Sequence, residues 1–388
     1  MKILTAKKII LVGGGIGGTA TALALYRAGF KPIVYERTAT LREVGAGVAL
    51  WANATHVLKE LGVLDDVLRQ SDAITNYQFF SQMGKELMNL CINHFEVPAV
   101  AIHRADLLSL LWRKLSSEHF VLGQAFERFE PVENKVRAYF TGGLAEEGDV
   151  LIGADGLKSK VRSQLFGEAK PIYRGMTSYR GLTNYIPDTY KRGYICEFLG
   201  SGKAFGFVTI GKGRMYWYVA SKAAEGQSDA PVGRKQELQE IFQDWPTPIP
   251  ELIAATDETS ILKTDLYDRV PIPKWSFSNI TLLGDAAHPT LPTMGQGACM
   301  AIEDALVVTQ CLLEHSDPAE ALRQYESLRL VRTKKIVEQS LLIGKVAQLE
   351  NPVVVAVRNT LMKLLSQQFD NDYRAIHAYR VSLKLDKY

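Results

Sequence analysis

The stretch "KKIILVGGGIGGTATALALYRAGFKPIVYER", Lys7 to Arg37, decides the fold. It reads as strand, turn, helix, strand. Ile9 to Val12 is continuously apolar, as a strand buried on both faces requires. Ala20 to Ala28 carries helix formers, and Gly29 is a good C-terminal stop. Between strand and helix lies Gly13-x-Gly15-x-x-Gly18. The first glycine permits a tight turn, the second lets backbone approach a pyrophosphate, and the third allows close helix–strand packing. Free N–H groups and the dipole at the helix start favour that anion. Glu36 ends the second strand at the spacing where an acid takes an adenosine ribose hydroxyl. Together these features predict a dinucleotide site. They do not distinguish FAD from NAD.

The rest of the chain narrows the choice. Its 388 residues are 47% hydrophobic, enough for one large or two intertwined domains. A net charge of +3, with no basic run interleaved with aromatics, argues against nucleic acid. Cys91, Cys196, Cys299 and Cys311 are scattered, form no metal pattern, and suit a reduced, cytoplasmic protein. No signal-peptide pattern opens the chain, and no apolar run reaches transmembrane length.

The texture changes along the chain. From Tyr77 to about Pro98 the pattern shifts toward short strands, and from about Pro171 to Pro273 short aromatic runs separated by Gly, Lys and Ser predict an antiparallel sheet inserted into an α/β frame. Beyond Pro318 the pattern is helical. We therefore expect a discontinuous nucleotide-binding domain of residues 1–75, 98–170 and 274–330. Residues 76–97 and 171–273 would form a substrate domain, and 331–388 a tail of C-terminal helices.

Two further motifs complete the set. "GADGLKSKVR" holds Asp155-Gly156 after a buried strand. "GDAAHPTLPTMGQGACMAIEDA" holds Gly284-Asp285 and then Pro292-x-x-Gly295-Gln296-Gly297. With these, residues 7 to 345 resemble the class A FAD-dependent flavoprotein monooxygenases, which include aromatic hydroxylases and zeaxanthin epoxidase. The resemblance implies a Rossmann-type FAD-binding domain. It also implies hydroxylation or epoxidation of a small aromatic or lipophilic substrate, with NADPH or NADH and O₂, through a flavin C4a-hydroperoxide. A reductase of the geranylgeranyl-reductase type is the alternative.

In that family Asp285 would accept from the flavin's ribityl hydroxyl, and Pro292 would stiffen the loop. Gly295 and Gly297 would leave the ring unobstructed. The helix starting at Gly297-Ala298 would steady negative charge on reduced flavin by roughly 0.3–2 kcal/mol. Arg104 matches a family position at a helix start that reaches the cofactor. Gly45, Gly47 and Val48 resemble the loop beside the flavin. Arg37 and Phe126 are candidate adenosine contacts. His288 is read as structural. In "MYWYVA" the alternation puts Met215 and Trp217 on one face and Tyr216 and Tyr218 on the other. Tyr216, Trp217 and Tyr218 are the substrate-pocket candidates, with the face left open.

"YDRVP" (Tyr267 to Pro271) and "MGQGACMAIED" (Met294 to Asp304) look most like the zeaxanthin epoxidase and urate-hydroxylase-like branch. From its length we expect no counterpart of the plant epoxidases' transit peptide and extra C-terminal domain. Ala204 stands where the urate-hydroxylase-like members carry an arginine, which disfavours urate. "NPVVVAVRNTLMKLL" (Asn351 to Leu365) starts a strongly apolar helix. It would either pack on the core or make a peripheral membrane contact.

Overall fold

The computed structural model describes residues 7–40, 46–226 and 233–381. The opening unit folds as strand Lys8–Val12, helix Ile16–Arg27 and strand Lys31–Glu36. Lys8–Val12 lies in a six-stranded sheet, between Val150–Gly153 and Lys31–Glu36 and parallel to both. Ile280–Leu282 and Phe120–Leu122 extend the parallel set outward, and Ser276–Phe277 closes one edge antiparallel. Ile9, Ile10, Leu11, Leu151 and Ile152 are fully buried, which is why these strands are unbroken apolar runs.

The glycines of the first turn have separate reasons. Gly13 has φ +107°, and a Cβ there would lie 2.5 Å from the Ala154 carbonyl oxygen. A Cβ on Gly18 would lie 2.0 Å from the Gly13 carbonyl oxygen, so that glycine serves packing inside the turn. A Cβ on Gly15 would meet nothing within 4 Å.

The second sheet has seven strands, in the order Leu262–Asp268, Ile172–Thr183, Met215–Lys222, Lys203–Thr209, Tyr194–Leu199, Asn76–Ser81 and Glu86–Cys91. The early and late aromatic segments thus share one sheet. It is antiparallel as expected except where they meet, since Tyr194–Leu199 runs parallel to Asn76–Ser81. Those strands come from separate passes of the chain, and no hairpin forces them to oppose. One face of this sheet packs Phe198, Phe205, Phe207, Met215 and Trp217 against Leu238, Phe242, Ile249 and Leu252. The last four sit on helices Arg234–Phe242 and Ile249–Ala254.

Helix Gly297–Glu314 packs on Ile16–Arg27 and on Pro318–Ala347. The latter is one continuous helix through residue 330, so no break in secondary structure falls at the expected start of the tail. Helices Pro352–Leu364 and Ser366–His377 follow. No helix among the described residues is long and apolar enough to cross a membrane.

Candidate active site

A cavity of about 830 Å³ separates the C-terminal ends of the parallel strands from the open face of the seven-stranded sheet. In open α/β sheets this strand end is where ligands bind. Gly13, Gly15, Glu36, Arg37, Phe126 and Asp155 line one end of it. Gly47, Val48, Arg104, Asp285, Pro292, Gly295, Gly297 and Ala298 line the middle. Tyr216 and Tyr218 line the far wall. Gly45 lies outside the described residues.

At the first end, the Glu36 carboxylate accepts from Gly14 N at 2.8 Å and Thr38 N at 2.9 Å, fixing the turn around the Ile16–Arg27 helix start. Asp155 accepts from Ser159 Oγ at 2.5 Å and Lys160 N at 2.7 Å, so it caps helix Lys160–Phe166 as well as facing the cavity. The open space at Gly15 beside a helix N-terminus fits a pyrophosphate.

In the middle, Asp285 sits in a one-turn helix, Gly284–Ala286, and its carboxylate is open to the cavity. Burial raises its pKa, and the nearby His288 and Arg104 oppose that rise. Gly295 needs its glycine twice over. Its φ is +60°, and a Cβ would lie 2.9 Å from Trp51 Nε1, which donates to the Met294 carbonyl at 3.2 Å. The 18-residue helix Gly297–Glu314 therefore starts with its N-terminus facing the cavity beside Asp285. A free carboxylate, a cleared loop and two helix N-termini fit a long dinucleotide with a polar chain next to its ring.

Two candidates are corrected. Trp217 does not reach the cavity. It is fully buried on the opposite sheet face, where its Nε1 donates to Thr256 Oγ1 at 2.8 Å. The two inserted helices need an apolar surface, and strand alternation gives them Met215, Trp217 and Val219 while Tyr216 and Tyr218 turn inward. Gln296 also points away. Its amide is fully buried and accepts from Asn53 Nδ2 at 2.9 Å.

A buried ion network beneath the loop was not anticipated. His288 Nε2 lies 2.6 Å from Asp304 Oδ2, and Arg329 Nε donates to Asp304 Oδ1 at 2.6 Å. Asp304 also accepts from Gly284 N at 3.0 Å. Arg329 reaches Glu303 at 2.6 Å, and Arg332 grips Glu303 with two bonds of 2.8 and 2.7 Å. The sequence did carry a signal, since Glu303-Asp304 interrupts the apolar helix "ACMAIEDALVV" and Arg329 and Arg332 share a helix face. His288 is thus a positioning residue for the Gly284–Ala286 turn. The inward-facing Tyr77 and Glu197 also escaped the sequence reading.

Comparison with known proteins gives a consistent picture. The family described as FAD binding domain matches residues 6–340. The chain is 37% identical over 366 residues to the aurachin C monooxygenase/isomerase of Stigmatella aurantiaca, covering 93% of this chain and 95% of that protein. It is 32% identical to the 6-hydroxynicotinate 3-monooxygenase of Bordetella bronchiseptica, covering 85% of this chain and 89% of that one. To the chloroplastic zeaxanthin epoxidase of Prunus armeniaca it is 35% identical, covering 84% of this chain and spanning about half (53%) of the epoxidase. Among solved structures, Klebsiella pneumoniae HpxO complexed with FAD and uric acid superposes with a TM-score of 0.91 at 24% identity, covering 96% and 97% of the two chains.

Proposed function

We propose a substrate class on one premise, that the chain belongs to the FAD-binding-domain family of class A flavoprotein monooxygenases and is itself an FAD-dependent monooxygenase. Relatives with monooxygenase and epoxidase activities make the reductase alternative the poorer reading. NAD(P)H is the family's co-substrate. Bound FAD supplies the redox chemistry that puts one atom of O₂ into the substrate.

In our assignment Gly13, Gly15 and the Ile16–Arg27 helix start hold the pyrophosphate. Glu36, Arg37 and Phe126 surround the adenosine, and Asp285 takes the ribityl chain. Gly47, Val48, Arg104, Pro292, Gly295, Gly297 and Ala298 frame the ring. Asp155 acts mainly by fixing its turn. The six-stranded sheet carries the cofactor and the seven-stranded sheet the substrate.

The substrate is a neutral aromatic compound with an apolar extension. One observation carries this reading: the wall facing the glycine turns is mainly aromatic and aliphatic, with Arg180 and Glu197 as its charged members, and it continues outward. Tyr77, Tyr216 and Tyr218 line it with Ile195, Val208 and Leu266, and Ile343 and Ala347 extend it to the edge. Ala204 lines this wall, so position 204 offers no cation to an anionic purine, and the nearby Arg180 donates to Thr264 Oγ1. These side chains orient the ring and exclude water.

Substrate is expected to speed NAD(P)H oxidation by at least about tenfold, a barrier change of about 1.4 kcal/mol. Gly47→Val tests the same geometry. A Cβ at position 47 would lie 2.4 Å from the Tyr216 ring, so valine drives that ring into the substrate space. The variant should keep FAD and lose the stimulation. Stopped-flow flavin reduction with and without substrate measures both, and equal wild-type rates would defeat the proposal.

Beyond Ile343 an exposed apolar stripe continues on helix Pro352–Leu364. Val353, Val357, Leu361 and Leu364 are 71%, 51%, 48% and 74% exposed, with Lys363 in the last turn of the same helix. The opposite side is anchored by Arg358, which donates to the Gly200 carbonyl at 3.3 Å. We assign the stripe to peripheral contact with a bilayer surface. Val357→Asp/Leu361→Asp should weaken binding to anionic phospholipid vesicles at least about tenfold. Equal cosedimentation of variant and wild type would refute that assignment. The four cysteines are free, which supports a reducing, cytoplasmic setting.

A further inference from the structure

Glu197 stands on strand Tyr194–Leu199 and faces the cavity. It lies opposite Gly206, which in turn lies opposite Tyr218. A Cβ on Gly206 would lie 2.2 Å from Tyr218 Cζ. The glycine thus lets the tyrosine ring lie across the intervening strand, and Tyr218 OH donates to Glu197 Oε2 at 2.7 Å. Tyr77 OH, from strand Asn76–Ser81, donates to the same oxygen. The two hydroxyls are 3.5 Å apart.

The other oxygen, Oε1, takes no hydrogen bond from any described residue and keeps accessible surface in the cavity. Glu197 has no ion-pair partner among the described residues. The cavity-lining Arg180 instead donates to Thr264 Oγ1 at 2.7 Å. Burial raises the pKa of Glu197, and the two tyrosine donors pull it back. A half-buried carboxylate with no protein cation beside it takes its remaining partner from the cavity. The free oxygen faces the space assigned to substrate.

We propose that Glu197 is a specificity-determining residue: its Oε1 accepts a hydrogen bond from a neutral hydroxyl or ring N–H of the aromatic substrate, and its charge turns anionic aromatics away. Tyr77 and Tyr218 are positioning residues that hold the carboxylate in that orientation. The inference rests on the aromatic-substrate reading of this cavity and adds which polar group the ring must carry. A site built around a hydrogen bond rejects an analogue lacking the donor far more strongly than an apolar pocket rejects a change in size.

The test is equilibrium binding to the FAD-loaded protein without NAD(P)H, using 2-naphthol, its methyl ether 2-methoxynaphthalene, and the anion 6-hydroxy-2-naphthoate. Wild type should bind 2-naphthol at least about tenfold more tightly than either other probe. In Glu197→Gln the two tyrosines hold the amide oxygen and the NH2, a donor only, takes the place of Oε1, so the preference for hydroxyl over ether should fall while the anion gains affinity. Glu197→Met should lose both discriminations. Tyr218→Phe should narrow the gap between hydroxyl and ether. FAD content and melting temperature report folding, and if the methionine variant does not fold, the glutamine variant decides.

The inference falls if wild type binds naphthol and ether equally, or if Glu197→Gln shifts all three probes in parallel, as a packing role would. Should the ether bind and stimulate NAD(P)H oxidation as well as naphthol does, the aromatic-substrate reading survives and the role of Glu197 does not. If no probe binds, both are refuted.

Discussion

Replacing Arg329 with methionine is expected to remove about 3–5 kcal/mol of folding stability, the usual cost of leaving buried charges without their partner. Arg329 is fully buried and joins Glu303 and Asp304, each at 2.6 Å. Methionine fills much of its volume but leaves two buried carboxylates short of a cation. Arg332 still holds Glu303, and His288 with Gly284 N still holds Asp304, so the chain should fold with a lower urea midpoint. Because Asp304 fixes the Gly284–Ala286 turn, FAD content should fall as well. A loss under about 1 kcal/mol would show that the network is replaceable by packing, as some buried ion pairs are.

The network also sets an acid limit. Burial alone would raise the pKa of Asp304, but His288 and Arg329 outweigh it and hold the carboxyl at about 2. The ordinary value is about 3.9. The folded pKa is depressed, so the contribution is full above about pH 4 and is lost as pH falls toward 2. Asp304→Asn should lack that part of the acid-unfolding curve.

Asp285→Ala is expected to weaken FAD binding by roughly 5- to 150-fold, or about 1–3 kcal/mol for a hydrogen-bonding group left unpaired. The carboxylate is open to the cavity next to the start of helix Gly297–Glu314, where a Cβ on Gly297 would stand 3.8 Å from its Oδ1. Asp285→Asn keeps an acceptor and should lose less. Quenching of flavin fluorescence on binding measures both. Unchanged affinity in the alanine variant would mean that the cofactor's polar chain is held elsewhere.

The glycine-rich half of the cavity left clear signals in the sequence because most of them are local. Gly13, Gly15 and Gly18 act within one turn, and Glu36 bonds the backbone of that turn. Asp285 and Gly295 lie in short turns of fixed spacing, although Asp304 and Trp51, distant in the chain, help to hold those turns. Such features leave fixed spacings in the sequence, and the resemblance to flavoprotein monooxygenases rests on them.

The half of the cavity lined by the seven-stranded sheet was not readable in the same way. The alternation in "MYWYVA" separates Tyr216 and Tyr218 from Trp217 but does not say which set faces inward, because both are aromatic. That was decided by helices 234–242 and 249–254, which needed an apolar sheet face and took Trp217's. Glu197 meets Tyr77 and Tyr218 only because three strands far apart in sequence came into register. The parallel step in the seven-stranded sheet arose the same way. So the sequence by itself determined the α/β nucleotide-binding frame and the order of its motifs, through backbone sterics and hydrophobic periodicity. Only the tertiary structure decided which side chains face the cavity, because sheet register and the face each helix covers are set by long-range packing.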